Sequence, residues 1–173
     1  MPPSQPPSAR TTASLLPLVP RIFFLYLEPV MITCGASMAY AHRLPLLATL
    51  STPSSSSCAA PPPLDPAVLP GPGLSATYLL CMMSYGLMIL LSTPPNARLL
   101  KLHISLLALA DVAHWLVLLS TASEASGRSW LDLAAPAAWW RDDTARLLVV
   151  GPLGSFCFKI ATLAGVFGRI GER

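Results

Sequence analysis

Charge is scarce in this chain, and that scarcity excludes an ordinary soluble domain. Only 11% of the 173 residues are Asp, Glu, Lys or Arg, while 53% are hydrophobic; soluble domains carry about 25% charged residues. Helices of a soluble domain each need a polar face. The segment LSATYLLCMMSYGLMILLST, Leu74 to Thr93, has no charged residue and no polar stripe. One buried core helix can look like that, but several such stretches leave nothing to face water.

Other absences narrow the reading further. Asn96 is the only asparagine and is followed by Ala97 and Arg98, so there is no glycosylation sequon. Cys34, Cys81 and Cys157 fall in apolar runs and Cys58 in a Ser/Pro stretch, forming neither a CxxC pair nor an extracellular disulfide framework. They read as small packing residues. No Gly-rich phosphate loop, nucleophile elbow, HExxH motif or kinase signature occurs, and no cofactor is expected. The net charge of +3 is accounted for by basic residues flanking apolar runs, so no nucleic-acid partner is called for. Residues 1–20 hold six prolines and lack the unbroken apolar core of a secretory signal, which reads as a disordered leader.

What the chain does have is four apolar stretches of membrane-crossing length: Arg21 to Ala41, Leu74 to Thr93, Leu99 to Ser120 and Arg146 to Phe167. A hydrocarbon core about 30 Å thick takes ~20 helical residues at 1.5 Å each. The expected fold is therefore all-α, a four-helix transmembrane bundle over residues 21–168 with a short tail, 169–173. The Pro/Ser-rich segment 42–73 reads as a disordered loop. Pro94 and Pro95 stop the second helix, leaving five residues before the third and so a tight antiparallel hairpin. Residues 121–145 form the most charged loop and carry Trp130, Trp139 and Trp140, a residue type that collects at headgroup level. Six basic residues (Arg10, Arg21, Arg98, Lys101, Arg169, Arg173) fall on one side and four (Arg43, Arg128, Arg141, Arg146) on the other, which favours cytosolic termini. No retention or lipidation signal selects a membrane, the endoplasmic reticulum being the default expectation.

Ionisable residues inside the stretches mark where function would reside, because a charge at mid-membrane costs ~2.5–3.5 kcal/mol and must be paired or turned inward. Glu28 precedes Pro29, which removes a backbone hydrogen bond to residue 25 and kinks the helix. Lys159 in the last stretch lies at a similar depth and is its natural partner. In the third stretch, LHISLLALADVAHWLVLL, His103, Asp111 and His114 fall within about 80° on a helical wheel, with Lys101 on the far side. Asp111 and His114, three apart, are expected to hydrogen-bond. This face serves as interhelical glue, as a proton donor and acceptor acting on a lipid-like substrate, or as a proton or ion relay. With three histidines in the chain, His42 among them in a loop, no metal site is expected. Gly35 with Ala39, and Ala161 with Gly165, are small-residue pairs suited to close helix approach.

RIFFLYLEPVMITCGA, LALADVAHW and the tryptophan-containing segment before the last stretch resemble a family of uncharacterised four-span integral membrane proteins of filamentous fungi. The likeness covers most of residues 21–168. It matches that family's Phe-rich segment ending in Glu-Pro at Phe23, Phe24, Glu28 and Pro29, and its Asp-x-x-His at Asp111 and His114. Lysine stands at 159, where the resemblance implies arginine more often. A more distant similarity is to sterol isomerase-like and sigma-receptor-like four-span proteins and to fungal membrane terpenoid cyclases, which place acidic residues around an apolar ligand. The resemblances imply a membrane address, the lipid bilayer as partner, a recurring acidic and histidine set and an apolar small-molecule ligand. Glu28, Asp111 and His114 are thus candidate catalytic residues, with Lys159 and His103 as ligand-binding or helix-pairing residues. The alternatives are a structural or interaction protein whose polar residues serve helix packing only, and a small proton-coupled carrier.

Overall fold

The computed structural model describes residues 11–41, 71–126, 129–131 and 143–171. The expected Ser/Pro loop lies outside these residues apart from its last three, as do residues 1–10 and the Trp139-Trp140 pair. Four helices make up the described part, with no strand among the described residues. Helix α1 is continuous through Leu18–Ile22, a π-helical turn Phe23–Leu27 and Glu28–Ala41. Helix α2 is Gly71–Ser92, α3 is Ala97–Ser126 and α4 is Asp143–Leu163. Leu18–Ser37, Gly71–Ser92 and Ala97–Thr121 are long and apolar enough to cross a membrane.

Neighbours in sequence are neighbours in space, α1 against α2, α2 against α3 and α3 against α4. The ring is closed between α4 and α1 by long side chains: the Phe23 and Phe158 rings lie 4.1 Å apart, with Phe24 and Phe167 flanking Phe158. Polarity is inverted relative to a soluble protein. Lys159 and Glu28 are fully buried, whereas Leu109, Tyr26, Val30, Leu74, Tyr78 and Tyr85 stand on the outer surface. Water outside would favour the opposite arrangement; a hydrocarbon solvent favours this one.

The proline pair between α2 and α3 acts as the sequence implies. Pro94 and Pro95 have no N–H to continue α2, and Asn96 then caps α3, its Oδ1 accepting from the Leu99 N–H at 3.0 Å. The carbonyls left open at the end of α2 find a donor in an unexpected place. Residues 11–20 are not a disordered leader: Thr12–Leu15 form a 3-10 turn folded across this hairpin. Thr12 is wholly buried, donates its N–H to the Thr93 carbonyl at 3.0 Å and its hydroxyl to the Pro94 carbonyl at 2.5 Å. Arg21 locks the strap from α1, its Nη2 donating to the Ser14 and Leu16 carbonyls at 2.6 and 3.0 Å. The Gly171 N–H reaches the Leu15 carbonyl, so the start of α1, the α2–α3 hairpin and the segment after α4 share one end of the bundle. Ala13, Leu16, Phe24, Leu90, Leu100 and Ile104 form the apolar core beneath it.

Four further expectations are revised. The fourth helix stops at Leu163 rather than Phe167 because Gly165, at φ +80°, closes a Schellman motif: Gly165 N–H bonds Thr162 O and Val166 N–H bonds Ala161 O. Gly165 therefore ends a helix instead of packing one, and a Cβ built at Gly35 would meet nothing within 4 Å, so neither predicted glycine mediates close approach. Helix α3 continues through Ser126, past the expected end at Ser120. Cys34, Cys81 and Cys157 are exposed on the outer surface and do not fill gaps between helices.

Candidate functional site

Proline 29 shapes the helix that carries Glu28. With no N–H at residue 29, the turn before it widens into π geometry, and the Glu28 N–H bonds Phe23 O, five residues back. The expected kink is thus realised as a widened turn. Phe24 and Glu28, four apart, both point into the bundle, Phe24 into the aromatic seam and Glu28 into the polar centre.

Lys159 is the hub of that centre. Its ammonium contacts Glu28 Oε1 on α1, Asp111 Oδ2 on α3 at 2.5 Å and Ser155 Oγ, one turn earlier on α4, at 2.9 Å. Those three acceptors match the three N–H bonds of an ammonium. Ser155 in turn donates to Glu28 Oε1 at 3.0 Å. Every member is buried, Lys159 and Glu28 at 0% exposure and Asp111 at 4%. One cation therefore ties α1, α3 and α4 together in a medium where each charge alone would be costly. Ser155 gave no sequence signal, since a serine in GPLGSFCF looks like any small helix residue; its position four before Lys159 is the only pointer.

The polar face expected on α3 divides in two. Asp111 turns toward α4 and Lys159, and no hydrogen bond joins it to His114. His114 Nδ1 instead meets Ser75 Oγ on α2 at 2.9 Å. His103 also faces α2, where its ring lies over Gly86: a Cβ built there would fall 1.9 Å from Cε1. The geometry of the wheel explains the split. His103 and His114 are about 20° apart, while Asp111 is rotated 60–80° from both, enough to address a different neighbour in a bundle. Gly86 is thus the glycine that brings two helices together, and nothing in YGLMILL distinguishes it.

Among the described residues no group of three or more His, Cys, Asp or Glu side chains could hold a metal ion. Three buried side-chain polar atoms among the described residues have no hydrogen-bond partner, Arg21 Nε, Glu28 Oε2 and Trp115 Nε1. Trp115 follows Asp111 by four residues and so stands on the same row of α3.

A helical fold with an apolar exterior and with Glu28, Asp111 and Lys159 gathered inside defines a membrane-embedded α-helical protein. Within that class, residues 13–169 match a domain of unknown function, DUF7704, and the chain belongs to that family. The matched region runs from the strap through the whole Lys159 cluster to the segment after α4. No curated protein and no solved structure matches the chain.

Proposed function

We propose that the chain is a multi-pass membrane protein that crosses the bilayer four times, and that its buried polar centre locks the crossing helices together. Helix α4 spans 21 residues, enough at 1.5 Å each for about 30 Å, and would supply the fourth crossing. The observation that carries the locking role is the saturation of the Lys159 ammonium by groups from three helices in a sealed interior. Such a centre suits a structural or interaction protein. Removing one partner leaves an uncompensated buried charge, so the helices cannot separate at low cost.

The native thiols test the membrane placement. With Cys58→Ser removing the thiol in the Ser/Pro segment, Cys34, Cys81 and Cys157 remain, all on the outer surface. In sealed vesicles they are expected to resist a charged, water-soluble maleimide and to react with an apolar one. Rapid labelling by the charged reagent before detergent is added would contradict the placement.

A second reading, binding or rearrangement of a sterol- or terpenoid-like molecule with Glu28, Asp111 and His114 as the reacting groups, is favoured by the bare Glu28 Oε2 and Trp115 Nε1. Mass spectrometry of lipids retained by purified wild type and Asp111→Asn decides it. A specific sterol or terpenoid held only by wild type supports it, and bulk phospholipid alone in both rejects it.

A further inference from the structure

The Lys159 centre uses one oxygen of Glu28 and leaves the other. Both donors that reach this carboxyl group, Lys159 Nζ and Ser155 Oγ, converge on Oε1, while Oε2 is buried without a partner. The indole N–H of Trp115 on α3 is likewise unmet: its Nε1 is buried and donates to nothing. Buried indole N–H groups and carboxylate oxygens ordinarily find partners, because each unmet group forfeits its hydration.

The two atoms belong to one layer of the bundle. Helices α3 and α4 run antiparallel: Asp111 meets Lys159, and a Cβ built at Gly171, beyond the end of α4, would lie 3.8 Å from the Ala97 Cβ at the start of α3. One turn forward from Asp111 is Trp115, and one turn back from Lys159 is Ser155, so these two residues stand at the same height. Ser155 Oγ is the group that reaches Glu28 from that height, at 3.0 Å. An unmet donor and an unmet acceptor thus share a layer without bonding each other.

Their chemistry selects what fits between them. An indole N–H only donates, and a carboxylate oxygen only accepts. A cation would serve Oε2 and repel the N–H, an anion would do the reverse, and a ketone or ester carbonyl would serve Trp115 alone. A hydroxyl group serves both, its O–H donating to Oε2 and its oxygen accepting from Nε1. We propose that Glu28 Oε2 and Trp115 Nε1 form a binding site for one hydroxyl group, carried by a water molecule or by an apolar alcohol. The proposal rests on the helix-locking reading, since Glu28 keeps its Oε1 contacts to Lys159 and Ser155 with the site occupied.

The test is proton-detected solid-state NMR of the full chain in lipid, with 15N in the tryptophan indoles and 13C in the glutamate carboxyls. The tryptophans are Trp115, Trp130, Trp139 and Trp140, and the Trp115 signal is the one lost in Trp115→Phe. Should that variant not fold, Trp130→Phe, Trp139→Phe and Trp140→Phe identify the other signals and leave Trp115 by elimination. The expected result is a hydroxyl proton with cross-peaks both to the Trp115 N–H and to a glutamate carboxyl carbon. Mass spectrometry of a solvent extract of the same sample separates the two sources. An alcohol retained in equimolar amount, whose carbinol protons join the cross-peaks, assigns the hydroxyl to a ligand; no such alcohol, with magnetisation reaching Trp115 from water, assigns it to water. A Trp115 N–H that senses no hydroxyl proton, or that meets the glutamate carboxyl directly, overturns the proposal. Helix locking is judged separately, by the thermal stability of Lys159→Met, and stands if only the hydroxyl contact is missing.

Discussion

Lys159→Met is expected to lower stability in detergent by about 3–5 kcal/mol, the range for breaking a buried ion pair from one side. Methionine is close in length to lysine and packs well, so lost volume is not the cause. What remains is Glu28 and Asp111 in one sealed centre with no cation between them and with Ser155 as the only donor to Glu28. The triple variant Lys159→Met, Glu28→Gln, Asp111→Asn removes every charge and is expected to recover most of the loss, because replacing a whole buried ionic set is often neutral. Thermal unfolding in one detergent, read by helix content, checks both. A single variant as stable as wild type, or a triple variant no better than the single, would mean that the charges do not hold the helices.

The second large effect belongs to Gly86. A Cβ at this position would sit 1.9 Å from Cε1, 2.3 Å from Nδ1 and 2.8 Å from Nε2 of His103, so the whole ring occupies that space. Gly86→Val therefore either drives α2 from α3 or expels a half-buried imidazole, at a cost of about 1–3 kcal/mol for overpacking. Adding His103→Ala is expected to restore most of it, since the obstruction is the ring. A double variant as unstable as Gly86→Val alone would place the clash elsewhere. A stable Gly86→Val single variant would show that the ring swings aside freely.

Long apolar runs and the proline pair at 94 and 95 report directly on helices and their interruption, because the constraint is local: membrane length and a missing N–H. Matching depths across antiparallel spans brings Glu28 to Lys159, and the two side chains do meet. The angular position of His103, Asp111 and His114 was equally legible, but a wheel gives directions and not neighbours. Which helix lies in each direction depends on bundle order, and so the Asp111–His114 pairing gives way to Asp111–Lys159 and His114–Ser75.

Small residues were the least legible. Ser75, Ser155 and Gly86 act only through what stands opposite them, and Thr12 acts through carbonyls exposed by prolines some 80 residues away in sequence. A Pro- and Ser-rich leader suggests disorder by composition. Here Thr11–Leu16 is ordered because the proline pair leaves acceptors at the end of α2 and Arg21 supplies donors from α1. Composition cannot register either partner.

The most direct test of the Lys159 hub is a distance measurement in lipid. The chain has two lysines, Lys101 and Lys159, of which Lys101 is exposed and Lys159 buried. Solid-state NMR dephasing between 15N-labelled lysine Nζ and 13C-labelled Asp and Glu side-chain carboxyls reads their proximity without any substitution. The predicted result is one lysine signal strongly dephased by both the aspartate and the glutamate label, and a second that is not dephased by both. A lysine pair in which neither Nζ senses both carboxyl types would contradict the three-helix clamp.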